Sequence, residues 1–424
     1  MNGDFEFRRM SRKEFLKKSG LGALALTAGA AGISTDWFSG RAAAAGGPDA
    51  ENQGMGYDEA SARFREGKLR FDAAGKFKIV QFNDTQDDEN IDPRTVQLME
   101  RVLDDQRPDF VVLNGDNITG GTDTPAEVKQ AIDHIARPME ERGIPWAVTF
   151  GNHDEDSAPN SGMDEEDMLR IYRNYRFNQN EVGAKGITGT GNMHLLIGGG
   201  GRSGKEPLFN LWLMDSGRYA PKEIAGQDFA GYPAWDWLRA NQVNWYYDTS
   251  VALEKRYKRK IPSLMFIHIP LWEFRFMWFA SVDGRSEADH ARAVARHGIV
   301  GERNEDECPG PFNSGMFSAI LDRGDVKGVF CGHDHVNTYC GNYYGVLLGY
   351  AGSAGFGTYG LSGAERNRLR GARVFNLQAV GEDVQIDTHM VFAKDYGIEL
   401  ADPVNTAADV GAELAPEQGK TVPK

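Results

Sequence analysis

The sequence predicts an α/β protein of two layers, built on a β-α-β-α-β start. Three observations carry that prediction. Between residues 77 and 150 short apolar runs alternate with segments of helical period, an order that joins parallel strands through crossover helices. Ligand-type polar residues stand directly behind five apolar runs, on the side where open α/β sheets bind ligands. The chain's 424 residues are 41% apolar and 25% charged, which suits a sizeable buried core.

Residues 1–45 read as an export signal. Arg8, Arg9, Arg12, Lys13, Lys17 and Lys18 precede a small apolar run from Gly20 to Ile33, and Ala42-Ala43-Ala44-Ala45 supplies a cleavage site. That run is too short to span a bilayer comfortably, so no stable membrane span is expected in the mature chain. Ser11-Arg12-Lys13-Glu14-Phe15-Leu16-Lys17 is similar to a twin-arginine signal, with Lys13 in place of the second arginine. Twin-arginine or other export machinery is the expected partner, and a secreted or periplasmic location the expected outcome.

The body, residues 50–398, is expected to form one domain. Phe77 to Phe82 is the first strand, and Val96, Met99, Val102 and Leu103 mark one face of a helix ending near Pro108. Phe110 to Leu113 is the second strand. Val128, Ile132, Ile135 and Met139 mark the next helix, and Ile144 to Phe150 the third strand. Further strands are expected at Met193 to Ile197, Leu208 to Met214, Leu264 to Ile267, Val326 to Phe330 and Val346 to Leu348. A helix from Asp236 to Ala252 and a hairpin of Val374 to Val380 with Val384 to Val391 complete the assembly. Residues 399–424, rich in Ala, Pro, Glu and Gly without apolar period, read as a loose tail.

Charge and cysteine usage exclude two classes. Acidic residues outnumber Lys plus Arg by 61 to 47, a net charge of −14, so no nucleic-acid-binding surface is expected. Losing residues 1–45 removes seven basic and four acidic residues, leaving 40 against 57, or −17. Three cysteines cannot form a disulfide framework; Cys331 and Cys340 either pair across strands or remain small buried thiols.

Behind the strands stand Asp84, Gly115-Asp116-Asn117, Gly151-Asn152-His153-Asp154, His268 and Gly332-His333-Asp334-His335. Oxygen and nitrogen ligands without cysteine suit Mn, Fe or Zn, and a carboxylate such as Asp116 can bridge two ions. The glycines allow tight turns that aim the following side chains into one pocket. Two divalent ions with Asp84, Asp116 and a hydroxide would leave a positive site for a phosphate group.

These five blocks, in this order and each behind a strand, resemble the calcineurin-like metallophosphoesterases, over about residues 75 to 392. The segments Leu213-Met214-Asp215-Ser216-Gly217, Gln242-Val243-Asn244-Trp245-Tyr246 and Gly332 to Asn337 are most similar to the purple-acid-phosphatase-like branch. The resemblance implies a two-layered β-sandwich flanked by helices, and hydrolysis of phosphate monoesters by a metal-bound hydroxide. It also implies a first metal held by Asp84, Asp116 and His335, and a second held by Asp116, Asn152, His268 and His333. His153 would act at the leaving group, oriented by Asp154 unless that residue only caps its loop. Gln86 stands where the superfamily often has histidine, and as an amide ligand it would favour Mn or Fe over Zn. Thr119 replaces the tyrosine of the purple enzymes, so no charge-transfer colour is expected. A phosphodiesterase with the same site is the nearest alternative. A non-catalytic metal or phosphate-binding protein is the alternative of another class.

Other motifs fail. Gly199 to Lys205 reads G-x-x-x-x-G-K, but Glu206 replaces the Ser or Thr that would meet magnesium, and the segment reads as a hairpin loop. Ala351-Gly352-Ser353-Ala354-Gly355 lacks the first glycine of a nucleophile elbow and the helix behind it. The aromatic stretch Leu271 to Phe279 is either core or a wall over the substrate, and Asp87-Asp88-Glu89 reads as a solvated acidic turn. His134, His194, His290, His297 and His389 have no ligand partners in sequence and read as surface or core residues.

Overall fold

The computed structural model describes residues 69–199 and 206–402; the expected signal, residues 200–205 and residues 403–424 lie outside them. The first elements follow from local chemistry. Strand β1 (Lys76–Phe82) alternates between two apolar environments, with Phe77 and Ile79 on one face and Val80 and Phe82 on the other. Helix α1 (Pro93–Gln106) starts where the Asp92 side chain accepts the N–H of Arg94 and Pro93 occupies the first turn. It stops at Arg107, which is left-handed and precedes Pro108. Strand β2 (Phe110–Asn114) leads into α2 (Pro125–Arg142), opened by a reciprocal Thr124–Glu127 capping box and closed by left-handed Gly143. Strand β3 (Trp146–Thr149) completes the β-α-β-α-β start.

Beyond it lie α3 (Ala158–Ser161), α4 (Glu165–Tyr172), β4 (Met193–Gly198), β5 (Pro207–Leu213), β6 (Glu223–Ile224), β7 (Gln227–Asp228) and α5 (Ala240–Tyr257). They are followed by β8 (Ser263–Phe266), α6 (Trp272–Phe279), α7 (Glu287–His297), α8 (Met316–Arg323) and β9 (Val326–Cys331). The described part ends with β10 (Cys340–Tyr343), β11 (Val346–Tyr350) and the hairpin β12 (Gly371–Val380) and β13 (Asp383–Phe392).

Two large sheets result. One runs β13-β12-β1-β2-β3, with β1, β2 and β3 parallel; the other runs β10-β11-β9-β8-β5-β4, with β5, β8, β9 and β11 parallel. Their inner faces share one apolar layer, in which Ile79, Phe110, Val112 and Phe375 meet Phe209, Leu211, Phe266 and Phe330. Helices cover the outer faces. Leu98, Val102, Ile132 and Ile135 pack on the first sheet, and Tyr246, Phe274 and Ile320 on the second. The two-layered sandwich flanked by helices is therefore the observed fold. Both faces of the parallel strands are buried, which explains their near-continuous apolar runs.

Several expectations need correction. The helix read from Asp236 begins at Ala240, because Asp236 turns back to take an N–H bond to the Arg218 carbonyl and pairs with Arg239. Helices α4, α6, α7 and α8 and strand β10 were not foreseen: the helices are 8 to 11 residues long and the strand four, too short to set out a clear period. Of the two readings left open for Cys331 and Cys340, the small buried thiols are observed: both are free and buried, on strands separated by β11. The chain is fastened through Asp402, whose carboxylate meets Arg94 and Arg366, so the loose tail does not begin at 399. Strands β4 and β5 pair antiparallel; the segment read as a hairpin loop between them falls on residues 200–205, outside the described residues.

Candidate metal centre

Each ligand-type block leaves the end of a parallel strand, and the two sheets direct those ends to one place. Asp84 follows β1, Asp116 follows β2, Asn152 follows β3, His268 follows β8, and His333 and His335 follow β9. All six are buried. The backbone there is strained: Asp84, Gln86, Asp116 and His333 adopt φ of 49°, 27°, 48° and 73°, a region that costs a non-glycine residue about 1–2 kcal/mol. Gly115, at φ 87°, needs its glycine for conformation as well as space, since a Cβ would stand 2.4 Å from His268 Nδ1. Gly151 and Gly332 are not at positive φ. At Gly151 the reason is close approach, a Cβ falling 2.3 Å from the Asp116 N and Oδ1.

Two groups of donors form, and Asp116 belongs to both. Atoms of Asp116, His268 and His333 lie within 4.8 Å of one another, as do atoms of Asp84, Asp116 and His335. The donor set fits metal ions. Asp84 Oδ2, Asp116 Oδ2, both amide atoms of Asn152, His268 Nε2 and His333 Nε2 are buried without a hydrogen-bond partner, a costly arrangement unless something else pairs with them. His268 Nε2 faces Asp116 Oδ2 at 3.1 Å while its Nδ1 donates to the Asn114 carbonyl at 3.1 Å. A lone pair and a carboxylate cannot face each other so closely unless a proton or a cation lies between them.

The electrostatics agree. Burial alone would lower His268, yet the Asp116 and Asp84 carboxylates push it up to about 10. Burial and the neighbouring Asp116 hold Asp84 well above the usual carboxylate range. Burial raises Asp116 too, but His268 and His153 overcome it and keep Asp116 ionised. His333 and His335 are held well below their ordinary value, first by burial and then by nearby positive groups. Neutral imidazoles beside carboxylates are what a cation takes as ligands.

His153 stands at the mouth, its side chain 20% exposed, and its backbone N–H donates to Asp116 Oδ1 at 2.8 Å. The expected partner, Asp154, does not reach its ring. Asp154 is buried and accepts backbone N–H bonds from Gly151, Asn117 and Ile118 at 2.7, 2.9 and 3.2 Å, so it closes the loop. Asp156 takes the orienting position, with Oδ2 2.6 Å from His153 Nδ1. Tyr219 and Arg218 hold Asp156 in turn, at 3.0 and 2.7 Å, and Arg218 also reaches the Asn152 carbonyl and Glu155. Gln86 is buried, and its Oε1 accepts from Thr358 Oγ1 at 2.7 Å. The ring of Tyr359 stacks on His335 at 4.0 Å, and Trp235 meets His333 edge-on at 4.5 Å.

Asp156, Arg218, Tyr219, Trp235 and Thr358 escaped sequence reading because they lie in loops with no period. The Asp215-Ser216-Gly217 segment did carry a signal. Ser216 Oγ accepts the N–H groups of His268 and Ile269 at 3.2 and 2.8 Å, which holds the His268 loop in place. The aromatic stretch became α6, with Phe274, Met277 and Phe279 in the core and Trp272 Nε1 donating to the Gly310 carbonyl, so most of it is packing. Four of the other histidines have local partners: the carbonyls of Glu89, Trp278 and Asn342 for His134, His290 and His297, and Asn210 Oδ1 for His194.

Comparison with known proteins adds a family. Residues 77–337 match the calcineurin-like phosphoesterase description. The chain is 33% identical over 336 residues to probable inactive purple acid phosphatase 14 of Arabidopsis thaliana, covering 72% of this chain and 76% of that protein. It is 28% identical over 285 residues to phosphatase DCR2 of Saccharomyces cerevisiae, covering 63% of this chain and 45% of that one. Among solved structures, a dimetal phosphatase from Danio rerio aligns over 75% of this chain and 99% of that chain, at 11% identity and a TM-score of 0.44.

Proposed function

The chain belongs to the calcineurin-like phosphoesterase family, and on that premise we propose that it hydrolyses phosphate monoesters at a site for two metal ions. The observation that carries this reading is the pair of donor groups sharing Asp116, with their buried ligand atoms otherwise unpaired. Asp84, Asp116 and His335 would hold one ion; Asp116, Asn152, His268 and His333 the other. When bound, such ions lower the pKa of coordinated water and act as Lewis acids toward phosphoryl oxygens. A nitrogen and oxygen set without cysteine suits Mn, Fe or Zn, and Mn or Fe would be favoured over Zn were Gln86 a ligand.

The chain's own residues do the rest. Asp156 accepts the Nδ1 proton of His153, and when the ring also carries its second proton the Nε2–H is the donor toward the leaving-group oxygen. The His153 backbone N–H pins Oδ1 of Asp116, so the other carboxylate oxygen is directed at the donor groups. Arg218 ties the Asn152 carbonyl to Asp156, coupling a metal-site residue to the proton donor. We further propose that residues 1–45 direct export, and amino-terminal sequencing of the secreted protein tests this by finding a mature chain that begins near residue 46.

The test of activity joins elemental analysis to hydrolysis of para-nitrophenyl phosphate and its bis ester. Two ions per chain and preference for the monoester are expected, with Asp116→Asn lowering kcat/KM by about 10³-fold or more. Preference for the bis ester would make it a phosphodiesterase. A non-catalytic binder is the second reading, favoured by the word inactive in the name of the Arabidopsis relative and by Gln86 in place of histidine. Bound metal with no turnover on any phosphate ester would establish it.

A further inference from the structure

Gln86 occupies a position at which the family often places a ligand, yet its surroundings give it another task. Thr358 Oγ1 donates its proton to Gln86 Oε1 at 2.7 Å and lies 3.2 Å from His335 Nδ1. A hydroxyl has one proton to give. With that proton committed to Gln86, Thr358 can only accept from His335, so Nδ1 carries the imidazole proton. The carbonyl oxygen of Tyr359, 3.4 Å from the same nitrogen, can only accept and adds a weaker bias to the same tautomer. The lone pair is then on Nε2, the atom 3.5 Å from Asp84 Oδ1.

Reversing the Gln86 amide would undo this. Its NH₂ would face Thr358, the hydroxyl proton would turn toward His335 Nδ1, and that nitrogen's lone pair would oppose the Tyr359 carbonyl. The imidazole proton would move to Nε2 and block coordination. In the orientation observed, the other end of the amide is an NH₂ group, buried without a hydrogen-bond partner, and N–H donors repel a cation. Thr358 is itself held by Arg370, whose Nη2 donates to the Thr358 carbonyl at 2.6 Å and whose Nη1 donates to Ser353 Oγ at 2.8 Å. Ser353 in turn donates to the Asp84 carbonyl at 3.0 Å. Gln86, Thr358, His335, Ser353 and Arg370 are each at most 3% exposed, so water does not compete for these bonds.

We infer that Gln86 is a positioning residue rather than a ligand: through Thr358 it fixes His335 in the tautomer that presents Nε2 to a metal ion. The first site then consists of Asp84, Asp116 and His335, and this inference rests on the two-metal reading above. Two measurements test it. In metal-free, ¹⁵N-histidine-labelled protein, His335, assigned by its loss in His335→Gln, is expected to show a protonated Nδ1 and an unprotonated Nε2. Gln86→Met and Thr358→Val are expected to mix the two tautomers, and Thr358→Ser to restore the single one. In Mn(II) titration calorimetry both weakening variants should keep one ion at wild-type affinity and weaken the other about 10- to 100-fold, as loss of a ligand's hydrogen-bond partner does.

An unchanged His335 tautomer in both variants overturns the inference. So does a far larger affinity loss for Gln86→Met than for Thr358→Val, which would make Gln86 a ligand. Wild-type protein that binds no Mn(II) defeats the two-metal reading instead, and the tautomer measurement still judges the hydrogen-bond chain.

Discussion

Asp156 holds His153 Nδ1 at 2.6 Å and is itself held by Tyr219 and Arg218, so the orientation of the imidazole at the mouth is fixed through one of its nitrogens. Replacing His153 by Gln should lower kcat by about 10²- to 10⁴-fold, whereas Asp156→Asn should lower it about tenfold with metal content unchanged. Steady-state kinetics beside elemental analysis separates these outcomes; a loss of metal in Asp156→Asn would make that carboxylate part of the metal site. A second histidine, His194, tests the fold rather than the site. It packs against Trp212 with ring centroids 5.3 Å apart, and burial lowers its pKa to about 4 despite the Asn210 contact. The unfolded chain takes up that proton near 6.5 and the folded chain only near 4. Stability is therefore lost as pH falls through this window, by roughly 2 to 3 kcal/mol from this group. Urea unfolding at about pH 7.5 and about pH 4.5 should show a smaller acid loss for His194→Gln than for wild type; equal losses would refute the assignment.

The elements deliver these residues through short strand-end turns, and the turns are where conformational strain is kept. Gly151 leaves no room for a side chain, because a Cβ would stand 2.3 Å from the Asp116 backbone nitrogen and 2.8 Å from His268 Cδ2. Gly151→Ala should cost about 1–3 kcal/mol of stability and also lose bound metal, as melting temperature and elemental analysis would report. A variant that melts earlier but keeps its full metal content would show that the loop can shift without moving Asp116. The β-α-β-α-β start was legible because period 2 and period 3.6 are local consequences of backbone geometry. The start of α5 was not, since Asp236 spends its backbone N–H on the Arg218 carbonyl of a distant loop. Short helices such as α6 were missed for a related reason: Trp272–Phe279 is apolar on nearly every side and shows no clear face.

Across the whole molecule, two sheets bury one shared apolar layer and bring five strand ends to a common edge. The cost of that convergence is a buried set of carboxylates: burial and Asp116 push Asp84 toward its protonated form, and the carboxylates push His268 toward its charged form. Metal binding should therefore release protons at neutral pH and weaken as pH falls, which calorimetry in two buffers of different ionisation enthalpy would measure. Chelation should lower the melting temperature and Mn(II) restore it, each site adding about 2.7 kcal/mol at a hundredfold excess over its Kd; a melting temperature indifferent to chelator would argue against a metal-linked fold. The sequence alone determined the parallel strands and the class of fold, and showed six ligand-type residues close behind apolar runs, because backbone periodicity is read within a few positions. Only the tertiary structure decided which neighbour controls each of them: Asp156 rather than Asp154 beside His153, and Thr358 between Gln86 and His335. Thr358 is 272 positions from Gln86 and 23 from His335, and loop contacts over such separations are set by how the two sheets pack, which no local pattern of residues encodes.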